Sequence, residues 1–104
     1  MKIYEVKNSE KSLNDMEAIY TYIKDKLHAP IAAANQYNRI ADAILSLGTM
    51  PERIKLMASE PENSLCIRQM IVDNYSAFFI IKENTVNIIR VLYSASDISK
   101  RLAE

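Results

Sequence analysis

The chain has 104 residues, of which 49% are hydrophobic, and its 13 basic and 13 acidic side chains give a net charge of zero. These values are typical of one small domain, and the single glycine excludes the glycine-rich loops that cradle phosphates in dinucleotide folds and P-loops. The neutral balance argues against a domain held on nucleic acid by a bulk positive field.

The N-terminal segment MKIYEVKNSE lacks the apolar region of a secretory leader, and no apolar run reaches the roughly 18 residues that a membrane span needs. A lone cysteine is ordinary in a reducing compartment. We therefore expect a cytoplasmic protein without a membrane partner. Cys66 and His28 are too few ligands for a zinc site, so we expect no metal and no cofactor.

The first half of the chain predicts one strand and two helices. Lys2 to Lys7 is rich in Ile, Tyr and Val and ends at Asn8-Ser9, which favours a strand followed by a helix start. Ser12 and Asp15 have the spacing of a capping box at a helix start. Apolar residues then recur at intervals of three and four, which indicates two amphipathic helices. The two stripes are Leu13, Met16, Tyr20, Ile23 and Leu27, and then Ala33, Tyr37, Ile40, Ile44 and Leu47.

Helix ends are indicated by proline and glycine. The first helix should stop near Leu27 or His28, because Pro30 biases the residue before it away from helical geometry and suits the first turn of a new helix. Gly48 follows the second stripe and is expected to take the left-handed conformation that often ends a helix. Pro51 prevents continuation. Helices joined by so few residues are expected to pack as an antiparallel hairpin.

Strands are predicted for the second half. Residues 51–64 mix two prolines with charges and predict a long loop, with room for one short extended piece. The segments 65–72, 75–82 and 85–93 are rich in β-branched and aromatic residues and are separated by turn residues. They predict a three-stranded antiparallel meander, with turns at Asp73-Asn74 and Glu83-Asn84.

The last segment, Ser94 to Glu104, predicts a short helix. Ser94 and Asp97 have capping-box spacing, and Ile98 and Leu102 lie on one side of the expected helix. The predicted fold over residues 1–104 is therefore a single α+β domain. Its order is an N-terminal strand, an antiparallel helical hairpin, a three-stranded antiparallel meander that completes the sheet, and a short C-terminal helix.

The strand that ends at Tyr93 is apolar on both faces. Strict alternation puts Val86, Ile88, Arg90 and Leu92 on one face and Asn87, Ile89, Val91 and Tyr93 on the other. Because the hairpin covers only one face, we expect the other to remain open as an apolar surface for a partner or ligand. Arg90, and Arg68 beside Met70 and Val72, are arginines on otherwise apolar faces, where desolvation is costly without a partner.

Five segments of the chain, in order and over nearly its whole length, resemble the RelE/ParE superfamily of bacterial toxins. They are NSEKSLNDMEAIYTYI, LHAP before the second helix, LGTMPERI, CIRQMIVDNYSAFFII and IIRVLYSASDI. The resemblance implies a small α+β toxin of a type II toxin–antitoxin system. It also implies a cognate antitoxin that binds over the sheet, giving a hetero-oligomer.

One branch of the superfamily, typified by RelE, cuts messenger RNA on the ribosome by attack of a ribose 2′-hydroxyl on the adjacent phosphate. If the chain is such an endoribonuclease, the resemblance implies that Arg68 and Arg90 are phosphate clamps. Tyr93 would then be a proton-transfer or base-stacking residue. A tyrosine with the ordinary pKa of about 10 is a poor base, which leaves the general-acid or stacking role.

The other branch, typified by ParE, acts on DNA gyrase and needs no catalytic residues. Two features favour it: the neutral charge, and the segment 94–97, which reads Ser-Ala-Ser-Asp where many relatives carry Gly-Arg-Arg-Asp. The residues expected to contact the target or the antitoxin are Arg53, Met70, Tyr75 and Asp97. A non-toxic relic that only binds an antitoxin is a third hypothesis.

Simpler interpretations of the same residues stand beside these. Arg68 is also explained as an edge-strand arginine whose stem covers apolar surface. Arg90 is equally explained by an ion pair with Asp73 or Asp97. Tyr75 and Tyr93 are also explained as ordinary sheet residues, and His28 as a solvated residue of the hairpin turn. Glu60 and Glu62 are favoured as solvated loop carboxylates over a catalytic base.

Overall fold

A four-stranded sheet forms the centre of the computed structural model, which describes residues 2–104. The sheet order is β1-β4-β3-β2, in which β1 is parallel to β4 and the other neighbours are antiparallel. The predicted α+β class and order of elements are confirmed. No helix within residues 2–104 has the length and apolar character to cross a membrane. The elements are β1 (Glu5–Asn8), α1 (Glu10–Thr21), α2 (Pro30–Leu45), β2 (Arg68–Val72), β3 (Tyr75–Lys82), β4 (Thr85–Tyr93) and α3 (Ile98–Leu102).

Helix α1 is capped by Ser9, and the capping box predicted at Ser12 is wrong. The Ser9 side chain accepts the Ser12 N–H at 3.0 Å. Ser9 also donates its N–H to the Ile88 carbonyl at 2.9 Å and its hydroxyl to the Ile89 carbonyl at 3.0 Å. These bonds to β4 explain why Ser9, rather than Ser12, starts the helix. Ser12 is buried in the first turn.

The helical hairpin reverses where the sequence indicates. After α1 the chain makes a π-helical turn over Tyr22–Lys26 and reverses through His28, whose φ is 52°. The helices meet where the Tyr20 and Tyr37 rings pack edge to face at 6.2 Å. The two predicted stripes are only partly buried. Met16, Ile23, Ala33, Ile40, Ile44 and Leu47 are buried, whereas Leu13, Leu27 and Tyr37 are exposed.

The predicted left-handed stop at Gly48 is also wrong. Helix α2 ends in a 3₁₀ turn over Ser46–Gly48, and Gly48 does not have a positive φ. The left-handed residue is Met50, with φ 49°, directly before Pro51. The chain therefore keeps right-handed geometry for one more turn before it reverses. Gly48 instead serves the sheet, because its carbonyl accepts the Tyr4 N–H at 2.8 Å.

The three-stranded meander and both of its turns are confirmed. Asp73 and Glu83, the first residues of the two turns, have φ values of 57° and 56°. The loop before the meander includes a short extended contact, in which Leu56 bridges to Arg68.

Both faces of the sheet are largely covered, which contradicts the predicted open apolar face, although Ile71 of the edge strand β2 is exposed. The hairpin packs on one face and forms the main core, in which Phe79, Ile40 and Ile44 are buried. The other face carries a second cluster around Phe78 and Leu92. Residues of the loop before β2 and of α3 pack over this cluster, so the long loop and the short helix supply the missing layer. Its other members are Ile67, Met57, Ile80, Ile89, Ile98 and Leu102.

A β-bulge explains why strict alternation fails in β4. Phe78 pairs with Arg90, but its neighbour Phe79 pairs with Ile88, so Ile89 is the extra residue. One inserted residue reverses the facing of those that follow. Val91 therefore joins Ile88 in the main core, while Leu92 belongs to the second cluster.

Candidate functional site

Arg90 lies at the bulge of β4 and forms a largely buried bidentate ion pair with Asp15 of α1. Its Nε donates to Asp15 Oδ2 at 2.7 Å and its Nη2 to Oδ1 at 2.9 Å. The two side chains are only 11% and 12% exposed. These hydrogen bonds raise the pKa of Arg90 above its ordinary value, and the negative charges of Asp15 and Glu104 add to the effect.

The rest of the Arg90 guanidinium holds the C-terminal segment. Nη1 donates to the Arg101 carbonyl at 2.9 Å and lies 3.8 Å from the Glu104 carboxylate. Lys11 of α1 also donates to the Glu104 backbone carbonyl. Every branch of the guanidinium therefore has an intramolecular partner, and Arg90 joins β4, α1 and α3.

The two partners predicted for Arg90 are both wrong. Asp73 binds Arg39 of α2, through two bonds of 2.7 Å. Asp97 caps α3 by accepting the Lys100 N–H at 3.3 Å, so the capping box predicted from Ser94 is also replaced. Asp15 takes the ion pair because the anchoring of α1 on β4 brings its first turns beside the bulge.

Arg68 has a different environment, on the edge strand β2. Its Nη1 donates to the Ile54 carbonyl at 2.5 Å and to the Glu52 carbonyl at 3.4 Å, which fastens the loop after α2 to the sheet. The Glu52 carboxylate accepts the Tyr4 hydroxyl, and this bond lowers the pKa of Glu52 and raises that of Tyr4.

The structure does not bring Arg68 and Arg90 together. Arg68 pairs with Phe79, a residue of the main core, whereas Arg90 pairs with Phe78 of the second cluster. Directly paired residues of antiparallel strands share a face. The two arginines therefore leave opposite faces of the sheet and do not converge on one ligand.

A groove of about 560 Å³, called here the tyrosine groove, lies at the open end of β3 and β4. Tyr75 and Tyr93 pair across the two strands, and their rings meet edge on at 5.9 Å. The Tyr93 side chain is half exposed. The Tyr75 side chain is more buried, and this burial raises its pKa. The remaining lining residues are Asp15, Ala18, Ile19, Tyr22, Leu27, Asn74, Val91, Leu92 and Arg101.

Of the residues predicted for catalysis or for contact with a partner, Tyr75 and Tyr93 line this groove and the others do not. Arg53 lies in the loop after α2 and donates to the Thr49 and Met50 carbonyls at 2.7 and 3.0 Å. Met70 is buried in the main core, where its side chain packs and is not presented to a partner. Asp97 is exposed at the start of α3.

The loop carboxylates and the histidine lie elsewhere. Glu62 is buried, not solvated as expected, and accepts the hydroxyls of Ser59 at 2.6 Å and Ser99 at 3.1 Å, which ties the loop to α3. Glu60 is exposed and His28 lies in the hairpin turn, also exposed. Within residues 2–104, no three His, Cys, Asp or Glu side chains lie close enough to hold a metal ion.

Asp15 is the residue that sequence reasoning missed. Its spacing from Ser12 suggested a helix cap, but its position on the helix also predicts a different role. Asp15 lies one position before buried Met16 and four before half-buried Ile19, on the side of α1 that faces the sheet. A carboxylate on the buried side of a helix needs a charged partner. An arginine in an apolar strand is such a partner.

Comparison with solved structures shows the fold. The ParDE toxin–antitoxin system of P. aeruginosa matches with a TM-score of 0.74 and 22% identity, over 88% of this chain and 96% of that one. The RelBE2 toxin–antitoxin complex of Mycobacterium tuberculosis matches with a TM-score of 0.60 and 19% identity, over 88% of this chain and 98% of that one. YafQ from E. coli matches with a TM-score of 0.55 and 13% identity, over 88% of this chain and 94% of that one. No curated protein matches the sequence.

The family is shown by a sequence model. Residues 6–98 match the model described as the ParE toxin of the type II toxin–antitoxin system parDE. This range extends from β1 to the start of α3 and includes the hairpin, the meander and the Arg90 ion pair. The resemblance seen in the sequence is confirmed, and the chain belongs to the ParE toxin family of the RelE/ParE superfamily.

Proposed function

We propose that this toxin inhibits growth by acting on DNA gyrase, without catalytic chemistry of its own, and that a cognate antitoxin neutralises it. The observation that carries the proposal is the commitment of Arg90 to Asp15, Arg101 and Glu104. The family match supports it, because the matching model is that of ParE rather than of a ribonuclease.

The chemistry of RNA cleavage provides the contrast. Attack of a 2′-hydroxyl on phosphorus needs cations around the phosphate, a base for the hydroxyl and an acid for the leaving oxygen. Here the two candidate cations leave opposite faces of the sheet, and both bind partners within the chain. The ring of Tyr93 meets Tyr75, not a cationic side chain. The tyrosine groove does bring together a cation (Arg101), a carboxylate (Asp15) and two phenols, but Arg101 is bound to Glu104 and Asp15 to Arg90.

Antitoxin binding is supported by the related structures, which are a ParDE system and a RelBE2 complex. We do not propose that the antitoxin binds as a layer over the sheet, because the hairpin covers one face and the loop before β2 and α3 cover most of the other. The tyrosine groove is a better candidate. It is concave, largely apolar and lined by half-exposed Tyr22, Leu27 and Tyr93.

The test is induced expression of the wild-type chain, followed by parallel pulse labelling of DNA and protein and by mapping of messenger RNA ends. We expect DNA synthesis to stop first, with DNA breaks and with ribosome-bound messages intact. Co-expression of a small protein encoded beside the toxin, where the antitoxin of such a system is expected, should restore growth. New cuts in ribosome-bound messages would replace the proposal with a RelE-like endoribonuclease. Normal growth at verified expression would identify an inert antitoxin-binding relic.

A further inference from the structure

We propose that Asp15 is a specificity-determining residue, which keeps RNA phosphates out of the tyrosine groove by occupying Arg90. The inference deepens the proposed non-nuclease function, since it names the side chain that separates this surface from a phosphate site. It concerns binding to this chain alone, so its test does not depend on gyrase.

The first argument is the geometry of the ion pair. Both carboxylate oxygens of Asp15 accept from Arg90, at 2.7 and 2.9 Å, in the parallel fork with which a guanidinium also binds two phosphate oxygens. Asp15 therefore occupies the position that an external anion would take on Arg90. The third branch of the guanidinium is held by the Arg101 carbonyl.

The second argument is the position of Asp15 in the wall of the groove. Asp15 lines the groove, whereas Arg90 does not. The rings of Tyr22, Tyr75 and Tyr93 are surfaces on which bases of a single strand stack. Arg101 also lines the groove, but its Nε donates to the Glu104 carboxylate at 3.1 Å. A guanidinium without an intramolecular partner beside such rings would complete a site for single-stranded RNA. Asp15 prevents this by occupying Arg90, and its carboxylate adds negative charge to the wall of the groove.

The third argument is that Asp15 is fixed in place. Its Oδ2 also accepts the Val91 N–H at 3.0 Å, so the carboxylate is held by β4 backbone as well as by the guanidinium. Ser9 anchors the start of the same helix to the Ile88 and Ile89 carbonyls. The Asp15 carboxylate is therefore held beside Arg90 by the packing of α1 on β4, and its position does not depend on a flexible side chain.

The test compares binding of a short fluorescein-labelled oligouridine, at low salt, by the wild-type chain and by two variants. Asp15→Asn keeps the volume and removes the charge, and Asp15→Ser also opens space beside Arg90. We expect the variants to bind about tenfold more tightly than wild type, the gain expected when a charged hydrogen-bonding group becomes available. Asp42→Asn, which makes the same charge change at an exposed position of α2, should bind like wild type.

Two further measurements assign the gain to Arg90. The double variant Asp15→Asn with Arg90→Gln should lose the gained binding. Sulfate should raise the Tm of both Asp15 variants more than that of wild type at matched ionic strength, because an anion that binds the folded state stabilises it. Circular dichroism and gel filtration report whether each variant is folded.

The proposal is overturned if a folded Asp15 variant binds no more tightly than Asp42→Asn, or if the gain survives removal of Arg90. It is equally overturned if neither variant folds even in sulfate, since Asp15 is then only a structural partner. If the gyrase experiment fails but the Asp15 variants gain RNA binding through Arg90, the proposed gyrase target is wrong and the role of Asp15 stands.

Discussion

Two ion pairs tie the helical hairpin to the sheet, with the same geometry and very different burial. Asp15–Arg90 joins α1 to β4, and Arg39–Asp73 joins α2 to the turn between β2 and β3. Both are bidentate, with shortest N–O distances of 2.7 Å. The side chains are 11% and 12% exposed in the first pair and 65% and 33% in the second. Geometry alone therefore does not reveal which pair matters.

Burial gives the two pairs different roles. Little water reaches the first pair, so removal of either side chain leaves a charge that is poorly compensated. The exposed pair is solvated whether or not it forms, and salt screens it. We infer that the first pair holds α1 in position against the bulge of β4, whereas the second contributes little to the stability of the turn between β2 and β3.

The largest expected effect is that of Arg90→Ala, which leaves the Asp15 carboxylate buried with the Val91 N–H as its remaining partner. The free energy of unfolding should fall by about 3–5 kcal/mol, as is typical when one partner of a buried ion pair is removed. Urea denaturation followed by circular dichroism measures it. The double variant with Asp15→Ala should recover part of the loss, and strictly additive losses would show that the two side chains do not interact.

A smaller effect is expected for Arg90→Lys, which keeps the positive charge but cannot form the two parallel hydrogen bonds to Asp15. The free energy of unfolding should fall by about 1–2 kcal/mol, because an ammonium cannot bind Asp15 and the Arg101 carbonyl in the same way. Amide hydrogen exchange should show α3 losing more protection than β3. Equal loss in both elements would mean that Arg90 does not hold α3.

A still smaller effect is expected for Arg39→Ala in the exposed pair. The change in unfolding free energy should lie near the limit of measurement at low salt and should vanish at high salt, because exposed pairs are screened. The matched experiment on Arg90→Ala should show an effect that persists in salt. A salt-independent loss for Arg39→Ala would remove the distinction between the two pairs.

The smallest expected effect is the dependence of the exposed pair on pH. Hydrogen bonds from Arg39 and then Gln36 lower the pKa of Asp73 below its ordinary value of about 4. A lowered folded-state pKa means that the stabilisation is present above the ordinary pKa and is lost as pH falls toward the folded-state value. The difference between wild type and Arg39→Ala should therefore shrink on acidification. A difference that grows would contradict this sign.

Local patterns sufficed for the elements that depend on local chemistry. The α2 stripe with Ile40 and Ile44 and the turns at Asp73 and Glu83 were predicted correctly because periodicity and turn residues act over a few positions. The covered second face was not predicted, because a loop and a short helix without strong periodicity supply its cover through Met57 and Leu102.

The site itself depends on long-range register, which the sequence pattern does not contain. The bulge at Ile89 changes the facing of Val91 and Leu92, and nothing in an alternating apolar strand marks the inserted residue. Ser9 and Ser12 are both good capping residues, and the choice between them is made by the Ile88 and Ile89 carbonyls of a distant strand. That choice in turn brings Asp15 beside Arg90.

The most direct test of the central claim is a supercoiling assay with purified gyrase and purified toxin. The proposed function predicts that supercoiling falls as wild-type toxin is added and recovers when the antitoxin is included. In a parallel reaction with ribosomes, the same toxin should leave a ribosome-bound message intact. Unchanged supercoiling at every toxin concentration, together with cleavage of that message, would contradict it.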